Sequence, residues 1–152
     1  MDTRRKPIII RKSEIQITPL PPSIAGAKKD EDPGLLNVII GAPKVDTKEL
    51  MMGNCEINPG FAAHRWHNHV FDEGEGHKIN YPKNFEEVYH IISGSGVCQW
   101  ETEKGKIEEV KVSEGDTMFF PVGVTKHQLF NNSKEKINFV WMATPLVQVT
   151  SK

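Results

Sequence analysis

Three histidines lie within six positions of the 152-residue chain, in the segment HRWHNH at residues 64–69. In a β-strand, residues two apart point to the same face, so His67 and His69 can both approach one metal ion. His64 has the opposite parity and points away from that ion unless a bulge intervenes. The cluster therefore predicts two metal ligands, and further ligands must come from elsewhere in the chain.

Two later segments supply candidates for these further ligands. In EEVYHIISGSG, residues 86–96, Glu87, Tyr89 and Ile91 share one face, and the glycines predict a tight hairpin turn. A carboxylate on an apolar strand face is costly to bury unless it is paired, and a metal ion would provide the pairing. His127 follows a Pro-x-Gly turn and begins another apolar strand, which makes it the remaining candidate.

The elements that must position these residues are short strands. From residue 86 onward, turn signals recur about every ten residues with apolar runs between them, which is typical of an all-β sandwich or barrel. No segment keeps helical periodicity over three turns. We expect an N-terminal edge strand and extended arm at residues 1–34, followed by one barrel at residues 35–152. Three early runs predict strands as well: 7–15, 34–41 and 51–58.

The order of these residues resembles the two sequence motifs of the cupin superfamily, over about residues 51–146. The matching positions are Gly60, His67, His69, Glu87 and Gly94 for the first motif, and Gly115, Pro121, Gly123, His127 and Asn131 for the second. The resemblance implies an antiparallel jelly-roll β-barrel and a homodimer. It also implies one divalent metal ion with four ligands: His67, His69, Glu87 and His127.

Two spacings depart from the family pattern by one residue. The intervals from Gly60 to His67 and from Pro121 to His127 are each one residue longer than usual, which indicates a bulge or a looser turn.

A third departure is the segment of 17 residues at 70–86, which separates His69 from Glu87. Glu73 fits the shorter family spacing and competes with Glu87 as the carboxylate ligand; we favour Glu87 because the turn at Gly94 sets its face. A loop of this length is more often functional than idle. We expect it either to cover the barrel mouth, with His77, Asn80 and Tyr81 near the substrate, or to pack on a partner subunit.

Three imidazoles and one carboxylate suit iron, manganese, nickel, copper or zinc. With two positions open, such an ion can hold a small polar metabolite alone or together with dioxygen, so we predict an oxygenase of the dioxygenase type. The alternatives are an isomerase, lyase or decarboxylase of a sugar or keto acid, and a non-catalytic small-molecule-binding cupin. A base, where one is needed, could be Tyr89, His77 or Glu73. Because imidazole binds a metal only when neutral, the ion should leave as the pH falls through about 6.

The composition of the chain argues against nucleic acid and membranes as partners. A net charge of −1 gives no electrostatic basis for nucleic-acid binding, and no apolar run reaches the roughly 18 residues that a membrane span needs. Cys55 and Cys98 are too few for a disulfide framework, so we expect two reduced, half-buried thiols in a cytoplasmic protein. Five further apolar side chains are expected in the core: Trp100, Met118, Phe120, Phe139 and Trp141.

Overall fold

The structure is a computed structural model that describes residues 8–19, 34–40, 50–67, 79–80, 86–103, 105–121, 123–144 and 148–149. These residues form one short 3-10 turn, Lys12–Glu14, and a series of β-strands. The strands are β1 (Thr18–Pro19), β2 (Leu35–Ile40), β3 (Met51–Ile57), β4 (Ala62–His67), β5 (Ile79–Asn80), β6 (Glu86–Ser93), β7 (Ser95–Glu101), β8 (Ile107–Ser113), β9 (Thr117–Phe120), β10 (His127–Phe130), β11 (Ile137–Thr144) and β12 (Gln148–Val149).

The strands pair into two main antiparallel sheets. A six-stranded sheet has the order β1-β2-β3-β11-β6-β9, and a four-stranded sheet has the order β4-β10-β7-β8. The short strands β12 and β5 form a separate pair. The predicted all-β jelly-roll fold is confirmed, although the two main sheets share no hydrogen-bonded strand pair in the described residues and so do not close into a continuous barrel. In the same residues, no helix has the length and hydrophobicity that crossing a membrane requires.

The core lies between the two sheets and follows from the alternation of side chains along each strand. On β11, Ile137, Phe139, Trp141 and Ala143 are buried while the residues between them are half-buried. On β6, the buried residues are Glu87, Tyr89 and Ile91, as their shared parity predicts. Apolar burial of this kind stabilises a fold by about 1.5–3 kcal/mol for each fully buried large side chain.

The N-terminal strand predicted at residues 7–15 is wrong for the described part of that range. Residues 8–15 contain the 3-10 turn instead of a strand, and Ile8 and Ile9 are exposed. The edge strand is β1, which pairs with β2 at the margin of the six-stranded sheet. Its Pro19 is compatible with this position, because an edge strand can lose one backbone donor.

The hairpin predicted at residues 93–96 is a corner instead. Gly94 connects β6 of the six-stranded sheet to β7 of the four-stranded sheet, so the two strands do not pair with each other. Gly94 has a φ of +90°, and a Cβ atom there would lie 2.3 Å from the carbonyl oxygen of Lys136. The glycine is required because both the conformation and the space exclude a side chain.

Asn131 joins three parts of the chain at the end of β10 away from His127. Its side chain is fully buried, and Nδ2 donates to the carbonyl oxygens of Ile57 (2.9 Å) and Glu135 (2.7 Å). Its Oδ1 accepts from the backbone N–H and the hydroxyl of Ser133, at 3.0 Å and 2.8 Å. This motif residue therefore has a structural role, since it ties β3 to the turn between β10 and β11.

Both cysteines are free thiols, and both are buried more completely than the half-buried positions expected from the sequence. Burial raises the pKa of Cys98 to about 11. Burial, followed by the nearby charges of Glu56 and Glu87, also raises the pKa of the Cys55 thiol. An unfolded thiol ionises near pH 9, so the folded state keeps its protons over a range in which the unfolded state loses them.

We expect the thiols to make the protein less stable in alkali. Their contribution to the free energy of unfolding is fully present below pH 9 and is lost as the pH rises toward about 11. Urea denaturation at about pH 8 and about pH 10.5 measures the change. The Cys55→Ala, Cys98→Ala double variant should lose less stability between the two conditions than the wild type. An equal loss in the two proteins would contradict this assignment.

Candidate metal centre

Three of the four predicted ligands lie together between the sheets. His67 ends β4, His127 begins β10, and these two residues face each other in the register of the four-stranded sheet. Glu87 lies on β6 of the opposite sheet. The ligand atoms of the three side chains all lie within 4.8 Å of one another. The candidate centre therefore takes side chains from both sheets.

The geometry of this group fits a transition-metal ion. Ligand bonds of about 2.1 Å place two ligand atoms about 3.0 Å apart in adjacent octahedral positions and about 4.2 Å apart in opposite positions. Nε2 of His67 lies 3.9 Å from Oε2 of Glu87, within that range. The ligand atoms lie within 4.8 Å of one another, about half an ångström more than the separation of opposite octahedral positions. Small side-chain movements can remove this difference.

Hydrogen bonds orient both imidazole rings for metal binding. Nδ1 of His67 lies 2.9 Å from the carbonyl oxygen of His64, and Nδ1 of His127 lies 2.9 Å from that of Thr125. A carbonyl oxygen can only accept, so each Nδ1 carries the proton and each neutral ring has its lone pair on Nε2. This backbone support of the second ring nitrogen is usual in metal-binding histidines.

Aromatic side chains pack beneath the centre. The ring of Phe120 stacks on that of His127, with centroids 4.2 Å apart and an interplanar angle of 17°. Tyr89 is 3% exposed, and its ring contacts Phe120 at 5.0 Å and Phe139 at 4.7 Å. Glu87 is itself only 7% exposed. The acidic ligand therefore lies in an apolar interior, where a cation stabilises its ionised form.

A bulge in β4 brings His64 to this group. Ala63 pairs with Leu129 and His67 with His127, so three residues of β4 face the single residue Gln128 of β10. His64 and Trp66 adopt left-handed backbone conformations, with φ of 47° and 40°. The ring centroids of His64 and His67 are consequently 4.5 Å apart. The long spacing from Gly60 to His67 was the sequence signal of this bulge.

Comparison with known proteins identifies the fold. No family model matches the chain, and no curated protein matches it. A predicted oxalate decarboxylase from Thermotoga maritima is similar in structure, with a TM-score of 0.59 and 18% identity over 91% of this chain and 100% of that one. A Cupin 2 conserved barrel domain protein from Salinispora arenicola has a TM-score of 0.53 and 16% identity, over 91% and 89% of the two chains. The chain has the cupin fold.

The same cupin fold occurs within a larger protein. A single-residue variant of oxalate decarboxylase from Bacillus subtilis has a TM-score of 0.52 and 22% identity, over 73% of this chain. The match covers 25% of that protein, so this chain spans about a quarter of its length. Identities this low establish the shared fold only.

The remaining residues predicted for the site have different outcomes. His69, Glu73 and His77 lie outside the described residues, so the third imidazole ligand and the alternative carboxylate stay predictions. Tyr89 lies on the Glu87 face, as predicted, with its ring in the aromatic cluster. In the insertion at 70–86, the structure describes residues 79–80, which pair with β12, and Glu86. His64 was expected to point away unless a bulge intervened, and the bulge that is present places its ring beside His67.

The backbone at His64 offers a direct test, because its carbonyl oxygen sets the His67 tautomer. We expect His64→Gly to keep metal affinity within about twofold, since glycine adopts positive φ readily. His64→Val should weaken binding about tenfold, because a β-branched residue is strained there by about 1–2 kcal/mol. Both variants remove the imidazole, so the difference between their metal affinities measures the contribution of the backbone conformation at residue 64.

Zinc titration monitored by calorimetry measures these affinities. Arg65→Val is the matched control, because Arg65 lies in the same bulge, is exposed and does not have a positive φ. It should bind zinc as the wild type does. Equal affinities for the valine and glycine variants at position 64 would show that the left-handed backbone has no part in positioning His67.

Proposed function

We propose that this chain is a metal-dependent enzyme of the dioxygenase type that acts on a small polar metabolite. One observation carries the proposal: two buried or half-buried imidazoles and one buried carboxylate converge on a single point. Two histidines and one carboxylate with open positions are the ligand set of many non-haem iron(II) oxygenases. We infer that His69, if it binds as well, leaves two positions for substrate and dioxygen.

In this proposal the chain's own residues hold the ion and exclude water. His67 and His127 donate through Nε2, with their orientation set by the carbonyl oxygens of residues 64 and 125. Glu87 supplies one negative charge, which stabilises a cation in an interior where solvent is scarce. A bound ion such as iron(II) supplies a Lewis acid and a meeting point for substrate and dioxygen. The ring of Phe120 stacks on His127 and that of Tyr89 packs on Phe120, and in this proposal such apolar surroundings limit side reactions with water.

The second candidate is non-oxidative metal chemistry on a keto acid, such as decarboxylation. Three of the structural neighbours are called oxalate decarboxylases: two are variants from Bacillus subtilis, and the third, a predicted oxalate decarboxylase, is matched over its whole length. The same centre could bind both oxygens of a keto acid and polarise the bond to be broken. The substrate would then react without consuming oxygen.

Two measurements distinguish the candidates. Elemental analysis of protein purified without added metal identifies the resident ion; iron supports oxygen chemistry, and manganese or zinc supports the alternative. Oxygen uptake and carbon dioxide release are then followed with catechols, enols and keto acids. Oxygen uptake that Glu87→Gln abolishes and Glu86→Gln retains would support the proposal. Carbon dioxide release without oxygen uptake would favour the alternative, and metal-free protein with no turnover of any compound would reject both.

A further inference from the structure

Trp141 has a buried hydrogen-bond donor that the fold does not use. The residue is 8% exposed and belongs to the core face of β11. In the described part of the chain, its Nε1 is buried and has no hydrogen-bond partner. Roughly nine in ten buried polar groups have one, so an isolated buried donor calls for an explanation.

The register places Trp141 next to the candidate metal centre. Ala143 pairs with Glu87, and Trp141, two residues earlier on the same face, pairs with Tyr89. Diagonal neighbours of this kind in an antiparallel sheet lie about 7–8 Å apart. Trp141 is therefore a diagonal neighbour of Glu87 on the core face of the six-stranded sheet.

Gly53 sets the orientation of the indole ring. A Cβ atom at Gly53 would lie 2.8 Å from Cε2 and from Cζ2 of Trp141, so the ring packs directly on the backbone of β3. Cε2 is bonded to Nε1, so this packing also sets the position of the donor. Because Gly53 is buried and pairs with Trp141, we regard the donor as held in place by the fold.

We propose that the indole N–H of Trp141 binds a carboxylate oxygen of a small α-keto acid held at the metal centre. The inference rests on the proposed function and adds a substrate class to it. Indole is a donor only, so its partner must be an acceptor such as a carboxylate, carbonyl or enolate oxygen.

The charges at the centre favour an anionic ligand. Among the described residues, the only buried side chain with a formal charge at neutral pH is that of Glu87. A divalent ion beside it leaves a net charge of +1, which one monoanion neutralises. An α-keto acid is such a monoanion, and it has enough oxygens to bind both the ion and the indole.

Titration of zinc-loaded protein with pyruvate tests the inference and does not require any reaction to occur. Calorimetry should show that Trp141→Phe binds zinc as the wild type does and binds pyruvate about tenfold more weakly, as expected for loss of a hydrogen bond to a charged group. Met142→Leu, which changes the residue next to Trp141 on the opposite face of β11, should leave pyruvate affinity within about twofold. Equal pyruvate affinity for Trp141→Phe and wild type would overturn the inference.

A second measurement does not depend on the variant folding. In wild-type zinc-loaded protein, the ¹⁵N-bound indole proton of Trp141 should shift downfield and exchange more slowly with water when pyruvate is added. Trp66→Phe and Trp100→Phe identify which of the three indole signals belongs to Trp141. An unchanged indole signal, or no pyruvate binding, would overturn this inference but not the metal centre. Failure of the wild type to bind zinc would reject the metal centre itself.

Discussion

Glu87→Gln is expected to lower the affinity for a divalent metal by about 100-fold or more, while Glu86→Gln keeps wild-type affinity. Glutamine has nearly the same shape as glutamate, but it is neutral and its amide oxygen is a weaker ligand. Glu87 is 7% exposed and lies 3.9 Å from Nε2 of His67, whereas Glu86 is exposed on the opposite face of β6. The two changes remove the same charge from adjacent positions, and only one of them faces the centre.

The stability of the metal-free variant separates a ligand from a structural residue. A buried carboxylate is costly in an apolar interior, so metal-free Glu87→Gln should unfold at the same denaturant concentration as the wild type or at a higher one. Zinc titration of the two variants and the wild type gives the metal affinities, and urea denaturation of the metal-free proteins gives their stabilities. Wild-type zinc affinity in Glu87→Gln would remove Glu87 from the ligand set and favour Glu73.

Asn131→Ala is expected to lower the free energy of unfolding by about 3 kcal/mol. The side chain makes four hydrogen bonds in a fully buried position, to Ile57, Glu135 and twice to Ser133. Alanine leaves their donors and acceptors without this partner and opens a cavity, and both effects destabilise the folded state.

The neighbouring Asn132 provides the control for this prediction. Asn132 is exposed, so Asn132→Ala should change stability by less than about 0.5 kcal/mol. Because Asn131 and His127 lie at opposite ends of β10, zinc affinity of folded Asn131→Ala should stay close to the wild-type value. Equal stability of the two alanine variants would show that the hydrogen bonds of Asn131 contribute little to folding.

Much of the fold could be predicted from local sequence signals. Alternation of apolar and polar residues placed Glu87, Tyr89 and Ile91 on one face, and regular turn signals indicated short antiparallel strands. The same signals did not distinguish a hairpin from a corner at Gly94, because both need a glycine with positive φ. The isoleucines near the N-terminus predicted a strand, but a short apolar run forms one only where a neighbouring strand has free backbone groups to pair with.

The site itself depends on pairings between distant residues. His67 faces His127 only because β4 and β10 pair, and sixty positions of sequence separate the two. Parity alone could not give the direction of His64, since a strand with two extra residues no longer alternates regularly. The indole donor of Trp141 has no sequence signal, because its lack of a partner among the described residues is a property of the folded interior.

The distribution of the ligands over both sheets has a mechanical consequence. In the described residues no strand pairing links the two sheets, while at one end the side chain of Asn131, which follows β10, donates a hydrogen bond to Ile57 of β3. An ion held by His67, His127 and Glu87 would act at the other end as a removable cross-link between the two layers. Loading of the ion would therefore stabilise the packing of the two sheets at that end, and loss of the ion would remove this link.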